Sequence, residues 1–325
     1  MRTERINLWH YGEYHYPHAF GFQPNLHTYF HEDQQLHPFI LIVPGGGYTH
    51  CAEEEGEIVA KTFFRRGYHA AVLTYTVNLL YMEPLGTQPL QDIARAVRYI
   101  RHHQESLFIE PDQLTVLGFS AGAHLGGSLA EFHSTVSDNR YPTISARPGR
   151  LVLCYPVISS GTYSHQRSFD ALFGVHSSKE LREIMSLEKH VPDDMCPVFL
   201  WQTMEDASVP VENSYLMAMA LRQKQIPFEH HVFQHGRHGS SVATEEWANQ
   251  HSADAYTLEQ VYAVLEQVKA NTLIPADKAY AEEQIQKFDE RRNPDYTDPK
   301  HVPNKEIAVW VDLCDAWLKR TRDLK

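Results

Sequence analysis

The sequence predicts an α/β fold in which a mostly parallel central sheet carries helices on both faces. Segments with helical spacing alternate with short apolar runs, which is typical of parallel strands joined by right-handed helical crossovers. Because ligands bind beyond the carboxyl ends of strands in such sheets, the loops after the runs are expected to carry the functional residues. The five runs are continuously apolar, as in strands covered on both sides, and lie at 38–43, 70–75, 114–117, 151–155 and 198–201.

The segments between the runs have the helical periodicity that this architecture needs. Apolar residues fall on one face at 58–63, where Gly67 would follow the helix as a C-cap, and again at 92–102 and 211–222. A sixth run, at 228–233, is less apolar and suits a strand at the edge of the sheet.

A single domain, 1–325, is expected, with additions before and after the α/β core. Residues 1–37 are interpreted as a lead-in with one or two strands, and residues 305–325 as a terminal helix whose apolar stripe packs on the core. Residues 245–304 contain two polar helical stretches and a proline-rich link. We interpret this segment as a helical insertion that forms a lid or an oligomer contact.

Composition and charge argue against several functional classes. The chain has 325 residues with 41 acidic and 29 basic side chains, and its net charge of −12 argues against nucleic-acid binding, which needs a basic surface. No apolar run approaches the length of a membrane span, and the first residues lack the apolar core of a signal peptide. A cytoplasmic protein without a membrane partner is therefore predicted.

Cysteine and histidine do not indicate a metal site. The four cysteines, Cys51, Cys154, Cys196 and Cys314, form no CxxC pair, which argues against a disulfide framework or a zinc knuckle. Several of the 21 histidines lie in the first 37 residues, but their spacings match no standard ligand set. We expect neither a metal nor a cofactor.

A strand, a sharp turn and a helix are indicated at 114–125, where the sequence reads LTVLGFSAGAHL. The turn contains G-x-S-x-G, in which Gly118 and Gly122 let the strand and helix approach while the serine takes a strained conformation. The motif is common by chance, but the apolar run before it and the small residues after it provide the required context. Ser120 is therefore the predicted nucleophile, and the backbone N–H of Ala121 is expected to face an oxyanion.

Three consecutive glycines follow the first apolar run, in PGGGY at 44–48. Glycines at this place let backbone N–H groups turn towards an oxyanion, as in the HGGG-type loop of lipases and esterases, although Pro44 stands where that motif has histidine. Gly46 and Gly47 are the predicted donors, together with Ala121. A phosphate-binding loop is the alternative, but no GxxxxGK[ST] or GxGxxG pattern follows.

An acid is expected after a later strand, because the order along the chain in this architecture is nucleophile, acid, histidine. The run at 198–201 is followed by QTMEDASVP, in which Asp206 is the predicted acid and Glu205 its rival. Asp193 and Asp194 are weaker candidates. A carboxylate at this place would hold the tautomer of the histidine and stabilise the imidazolium.

The base is expected after the next strand, where the sequence continues as QHGRHGSS. His238, followed by glycine and serine on a turn, is the predicted base, and His235 is the alternative. His230 and His231 could suggest a metal, but neighbouring residues of a strand face opposite sides.

Four motifs in this order, PGGGY, GFSAGAHL, EDASVPVENS and GRHGS, resemble the bacterial α/β-hydrolase esterase and lipase family. The closest group is the acetyl-esterase-like branch of xylan and sugar-ester esterases, and the resemblance runs from about residue 39 to residue 239, plus the terminal helix. It implies the α/β-hydrolase fold. It also implies that Ser120, Asp206 and His238 form the catalytic triad.

Asp92 resembles a structural position at the start of a helix in that family. The chain departs from the family pattern at Thr76, because many relatives have arginine after the tyrosine of the second parallel strand. It departs again at 245–304, a segment longer than the family usually has. Neither departure affects the three triad residues.

The resemblance implies a serine hydrolase that cleaves short-acyl esters, such as acetyl esters of a sugar or other small alcohol, through an acyl-enzyme. Tyr48 and Phe119, beside two of the motifs, are candidate substrate contacts, although a place in the core is favoured for them and for Trp201. An arylformamidase-like or prolyl-peptidase-like amidase would use the same triad, and a non-catalytic binder could share the scaffold. The expected partner is a small-molecule ester, and a homo-oligomer is left open.

Overall fold

Eight strands form one sheet in a computed structural model of the chain, which describes residues 1–250, 255–293, 296–299 and 301–322. The strands are β1 (Arg2–Asn7), β2 (Asn25–Phe30), β3 (His37–Val43), β4 (His69–Thr74), β5 (Ile109–Phe119), β6 (Arg150–Cys154), β7 (Val198–Thr203) and β8 (Phe228–Phe233). Their order across the sheet is β1-β2-β4-β3-β5-β6-β7-β8. Strands β3 to β8 are parallel, whereas β2 runs antiparallel to both β1 and β4.

Eleven α-helices and three short 3₁₀ turns are found in the described residues. The helices are α1 (Glu57–Phe64), α2 (Gln88–His102), α3 (Ala121–Phe132), α4 (Gln166–Phe173), α5 (Lys179–Glu183), α6 (Glu212–Gln223), α7 (Glu245–Ala248), α8 (Glu259–Lys269), α9 (Lys278–Arg291), α10 (Lys305–Ala308) and α11 (Trp310–Arg320). The 3₁₀ turns are Glu53–Glu55, Leu187–Lys189 and Tyr256–Leu258. None of the described helices has the length and apolarity needed to cross a membrane.

The predicted α/β architecture is confirmed. All five continuous apolar runs lie in parallel strands, β3 to β7, and the sixth run forms β8 at the edge of the sheet. The segments with helical spacing at 58–63, 92–102 and 211–222 lie in α1, α2 and α6. Neither α4 nor α5 is expected from the sequence; α5 has only five residues, whereas α4 has eight, as many as α1.

Both faces of the sheet are covered, which explains why its strands are continuously apolar. In β3, Leu41 packs in one hydrophobic cluster with residues of α2 and α3. Its neighbours Ile40 and Ile42 pack in a second cluster with residues of α1 and α11. All three side chains are fully buried, and complete burial of an aliphatic side chain contributes roughly 1.5–3 kcal/mol. This packing fixes the sheet and therefore the loops at its carboxyl edge.

The additions at the two ends of the chain contribute to the same core. The strands expected in the lead-in are β1 and β2, and the terminal apolar stripe is divided, since α10 ends at Ala308 and α11 begins at Trp310. Within 245–304, α8 packs on the core, and its Gln260 side chain pairs with both the N–H and the C=O of Val77, at 2.9 and 2.8 Å. The proline-rich link of this segment lies partly outside the described residues.

Candidate active site

Ser120 lies in a strained turn between β5 and α3. Its backbone has φ 52° and ψ −117°, a conformation that residues with a side chain rarely adopt. A Cβ on Gly118 would lie 2.4 Å from the carbonyl oxygen of Gly122, and a Cβ on Gly122 would lie 2.1 Å from the carbonyl oxygen of Val43. Both glycines of the motif are therefore required by close approach of the backbone.

A continuous hydrogen-bond chain joins Ser120, His238 and Asp206. Ser120 Oγ lies 2.8 Å from His238 Nε2, and His238 Nδ1 lies 2.6 Å from Asp206 Oδ2. With Nδ1–H donating to the carboxylate, Nε2 is left as the acceptor for the serine proton. Asp206 is held in place because its Oδ1 accepts hydrogen bonds from the N–H groups of Ser208 and Val209, at 2.9 and 2.8 Å.

The rival acid and base also pair, but with each other and at the surface. Glu205 Oε1 lies 2.9 Å from His235 Nδ1, and the two side chains are 58% and 56% exposed. This hydrogen bond raises the pKa of His235 and lowers the pKa of Glu205. Of the two acids, only Asp206 pairs with the histidine that lies beside Ser120, so the geometry favours Asp206 and His238.

The weaker acid candidates lie away from Ser120. Asp193 pairs with Lys224 at 2.8 Å, and Asp194 faces His133 at 3.6 Å. Neither aspartate lines the cleft.

The glycine loop after β3 lies directly against the turn that carries Ser120. Gly46 and Gly47 have φ of 105° and 64°, which favour glycine, and a Cβ on Gly45 would lie 2.8 Å from Ser120 Cβ. The backbone N–H groups of Gly46, Gly47 and Ala121 form no hydrogen bond with any residue that the structure describes. Free N–H groups beside a serine hydroxyl are what stabilisation of an oxyanion requires.

A buried carboxylate that the sequence reasoning missed supports the loops on both sides of this site. Glu55 Oε2 accepts a hydrogen bond from the N–H of Gly45 at 2.6 Å, and Oε1 accepts one from the Tyr155 hydroxyl at 2.7 Å. The Tyr155 oxygen accepts in turn from the N–H of Ser241 at 3.2 Å, and its ring lies 4.9 Å from that of His238. Burial raises the pKa of Glu55. Three successive acids follow the glycine loop, and nothing in that run indicates which one turns inward.

The expectation that Tyr48 and Phe119 contact the substrate does not fit their positions. Tyr48 is 1% exposed, and its hydroxyl lies 2.7 Å from Nδ1 of His124. Phe119 is fully buried and packs edge-on against Trp310, with ring centroids 6.1 Å apart. It is the last residue of β5 and belongs to the cluster on the α1 and α11 face, whereas the turn that follows presents Ser120 to the cleft. Both aromatic side chains therefore fill the core.

A cleft of about 320 Å³ contains Ser120 and His238. The glycine loop, the loop after β4, the start of α4 and one face of α9 complete its lining. Most of the lining side chains are polar or charged. They include His50, Glu54, His165, Arg167, Arg237, Glu283 and Lys287. A cleft of this size and polarity suits a small polar substrate better than a long acyl chain.

The histidine-rich lead-in contributes a cluster at the other end of the sheet. His31, Asp33 and His37 have potential ligand atoms within 4.8 Å of one another. His37 Nδ1 lies 2.8 Å from the carbonyl oxygen of Gly67, and its Nε2 lies 3.0 Å from Asp33 Oδ1. Both ring nitrogens of His37 are thus used in hydrogen bonds of the fold, at the amino end of β3 and away from the cleft.

Comparison with known proteins assigns this geometry to a family. The chain is 36% identical to the acetyl ester-xyloside bifunctional hydrolase from Caldicellulosiruptor lactoaceticus, whose crystal structure aligns with a TM-score of 0.69. The alignment covers 84% of this chain and 98% of that one. The chain belongs to the α/β-hydrolase esterase family. Within it, the BD-FAE family model matches residues 26–147, which include the glycine loop and Ser120.

Two further bacterial proteins that are similar to this chain are longer than it is. It is 46% identical over 262 residues to endo-1,4-beta-xylanase B of Butyrivibrio fibrisolvens, and 27% identical over 223 residues to an acetylxylan esterase of Xylanibacter ruminicola. These matches cover 80% and 65% of this chain, but 41% and 42% of the two relatives. The chain therefore spans about two fifths of their length, and its family indicates a hydrolase of the esterase type.

Proposed function

We propose that this chain is a serine carboxylic-ester hydrolase that removes short acyl groups, such as acetyl, through an acyl-enzyme. The observation that carries the proposal is the hydrogen-bond chain from Ser120 through His238 to Asp206, at 2.8 and 2.6 Å. A serine hydroxyl is a weak nucleophile at neutral pH, and a histidine that takes its proton makes it effective. The free N–H groups beside it supply the second requirement of acyl transfer.

In the acylation step, Ser120 Oγ attacks the ester carbonyl carbon while His238 Nε2 takes the hydroxyl proton. The N–H groups of Gly46, Gly47 and Ala121 stabilise the oxyanion of the tetrahedral intermediate. Its collapse breaks the bond to the alcohol oxygen, which leaves with the proton held by His238. Water then attacks the acyl-enzyme with His238 as the base, and the carboxylic acid is released. Loss of one oxyanion donor typically lowers kcat by about 10²–10³.

A short acyl group on a sugar is supported by two independent observations. The cleft measures about 320 Å³ and has a mostly polar lining, so it offers little apolar surface to a long acyl chain. The names of two relatives support an acetyl group and a sugar, since one is an acetyl ester-xyloside bifunctional hydrolase and the other an acetylxylan esterase.

Hydrolysis of p-nitrophenyl acetate, butyrate and octanoate, beside p-nitroacetanilide as the matching amide, tests the proposal. We expect turnover that is highest for acetate, falls with chain length and disappears in Ser120→Ala. Ser106→Ala, at an exposed serine outside the cleft, is the matched control and is expected to behave as the wild type. Folded wild-type protein that cleaves none of the esters contradicts the esterase proposal, and faster cleavage of the anilide than of the acetate points to an amidase.

A further inference from the structure

Two tyrosine rings from distant parts of the chain meet in the wall of the cleft. Tyr81 lies in the loop after β4, and Tyr280 lies in the first turn of α9. Their ring centroids are 5.7 Å apart with planes inclined by 44°, and both residues are half-buried. Aromatic rings that line a polar cleft offer apolar surface within it.

A buried amide lines the same part of the cleft. Gln284 lies one turn after Tyr280 on α9, is 6% exposed and lines the cleft. Its side-chain amide makes no hydrogen bond with any residue in the described part of the chain. The nitrogen and oxygen of this amide are not sealed from solvent, so both are open to pair with a polar group that enters the cleft.

A cationic side chain lies at the rim beside the two rings. Arg167 belongs to α4, is exposed, lines the cleft and interacts electrostatically with both Tyr81 and Tyr280. Its guanidinium carries five N–H donors in a planar array. The wall thus combines an apolar face, an amide and an array of donors.

We propose that Tyr81, Tyr280 and Gln284 form a subsite for the pyranose ring of the alcohol portion of the substrate. The inference rests on the proposed function, because Ser120 fixes where the ester carbonyl lies. The C–H face of the sugar packs on the tyrosine rings, and neighbouring sugar hydroxyls pair with the amide of Gln284, which both donates and accepts. Arg167 donates further hydrogen bonds to ring hydroxyls at the rim.

An aliphatic acyl chain does not fit this wall. It would press methylene groups against the amide of Gln284 and the guanidinium of Arg167 and leave their polar atoms without partners. A sugar ring presents C–H groups on its faces and hydroxyls at its edge, so it satisfies both kinds of surface at once.

Acetylated xylobiose and ethyl acetate separate this subsite from the chemistry, because the second ester has no ring to bind. We expect Tyr280→Ala and Gln284→Leu to lower kcat/KM for acetylated xylobiose by about tenfold or more, mainly through KM, and to leave kcat/KM for ethyl acetate unchanged. Tyr280→Phe keeps the ring and is expected to retain most of the activity. Gln286→Ala, on the same helix but exposed outside the cleft, is the matched control.

Binding of unacetylated xylotriose to Ser120→Ala protein, measured by calorimetry, tests the subsite without any turnover. We expect binding that is weakened at least tenfold by adding Tyr280→Ala and unchanged by adding Gln286→Ala. The subsite is overturned if xylotriose does not bind, or if its affinity is unchanged by substitution of Tyr280 and Gln284. Either result overturns it even if ethyl acetate is cleaved. Tyrosine-dependent xylotriose binding by a protein that cleaves no ester supports the subsite and overturns the proposed esterase function instead.

Discussion

Asp206 and Glu205 are adjacent in the chain, yet they lie in opposite environments. The Asp206 side chain is fully buried against His238, whereas the Glu205 side chain is 58% exposed and pairs with His235. The order of the motifs along the chain limits the acid to Glu205 or Asp206 and the base to His235 or His238. It cannot choose between them, because the turn after each strand decides which side chain faces Ser120, and that turn depends on packing around the whole loop.

Substitution of the two pairs tests the assignment. We expect His238→Ala and Asp206→Asn to lower kcat for p-nitrophenyl acetate by about 10⁴-fold, because the triad acts as a unit. His235→Ala and Glu205→Gln, which remove the exposed pair, are the matched controls and are expected to stay within about twofold of the wild type. If His235→Ala and Glu205→Gln abolish activity while His238→Ala and Asp206→Asn retain it, His235 and Glu205 are the base and the acid.

Glu55 is a positioning residue, since it holds Gly45 of the glycine loop and, through Tyr155, the N–H of Ser241 near His238. We expect Glu55→Ala to lower kcat by roughly 10-fold to 100-fold with little change in KM, because the oxyanion donors lose their fixed orientation. Glu55→Gln keeps one acceptor oxygen and is expected to restore part of kcat.

The control for this prediction is Glu57→Gln, an exposed residue outside the cleft. Steady-state kinetics and the midpoint of urea unfolding are measured on each variant. A purely structural role predicts that Glu55→Ala and Glu55→Gln lose the same amount of stability and the same amount of kcat. A change in KM alone would also contradict a positioning role.

Among the secondary-structure elements, Asp92 of α2 joins three parts of the chain that the sequence separates widely. Its carboxylate accepts hydrogen bonds from the N–H and hydroxyl of Thr76, at 3.0 and 2.6 Å, and from Trp9 Nε1 at 2.9 Å. The structural role implied by the family resemblance fits these contacts. They also explain why threonine after Tyr75 is tolerated, since Thr76 satisfies the carboxylate directly.

Burial raises the pKa of Asp92 from 3.8 to about 6, although the hydrogen bonds from Thr76 oppose this rise. The folded chain therefore keeps the proton at a pH where the unfolded chain has lost it, so the free energy of unfolding falls as pH rises from about 4 to about 6. We expect Asp92→Asn to flatten this fall, measured by urea unfolding at several pH values. Asp112→Asn, at an exposed aspartate, is the control, and equal slopes in Asp92→Asn and wild type would contradict the prediction.

The strands could be predicted because burial on both faces leaves a continuous apolar run, and α1, α2 and α6 because burial of one face leaves a helical period. The division between α10 and α11 could not, because the apolar stripe continues across Val309, which itself keeps helical backbone angles. Helices α4 and α5 are not expected from the sequence either, although α4 supplies part of the wall of the cleft.

At the scale of the whole molecule, the cleft combines loops predicted from motifs with a helix that carries none. The proposed subsite combines Tyr81 with two residues about 200 positions later in the chain, Tyr280 and Gln284. None of them lies in a motif, and only tertiary packing brings them into the cleft that contains Ser120. Aromatic residues next to a motif are therefore a poor guide to substrate contacts here, since Tyr48 and Phe119 turn into the core. The residues of the hydrogen-bond chain could be proposed from the sequence, whereas the residues that α9 adds to the cleft could not.

Whether 245–304 acts as a lid or as an oligomer contact stays a prediction, and the position of α9 favours the first. Arg291, at the end of α9, forms a buried ion pair with Glu53 beside the glycine loop. We expect Arg291→Leu to release α9, so that hydrogen exchange in α9 accelerates and KM for acetylated xylobiose rises severalfold while β5 stays protected. Gln286→Leu, at an exposed residue of α9 outside the cleft, is the control. Unchanged exchange in α9, or a chain that is dimeric through this helix, would contradict a lid.

Covalent labelling by a fluorophosphonate, followed by intact-mass and peptide mass spectrometry, tests the central claim most directly. Such reagents react with a serine whose proton is taken by a neighbouring histidine. We predict one adduct per chain, located at Ser120, absent in Ser120→Ala and strongly slowed in His238→Ala. An adduct on another residue, or none on folded wild-type protein, would contradict the claim that Ser120 is the nucleophile.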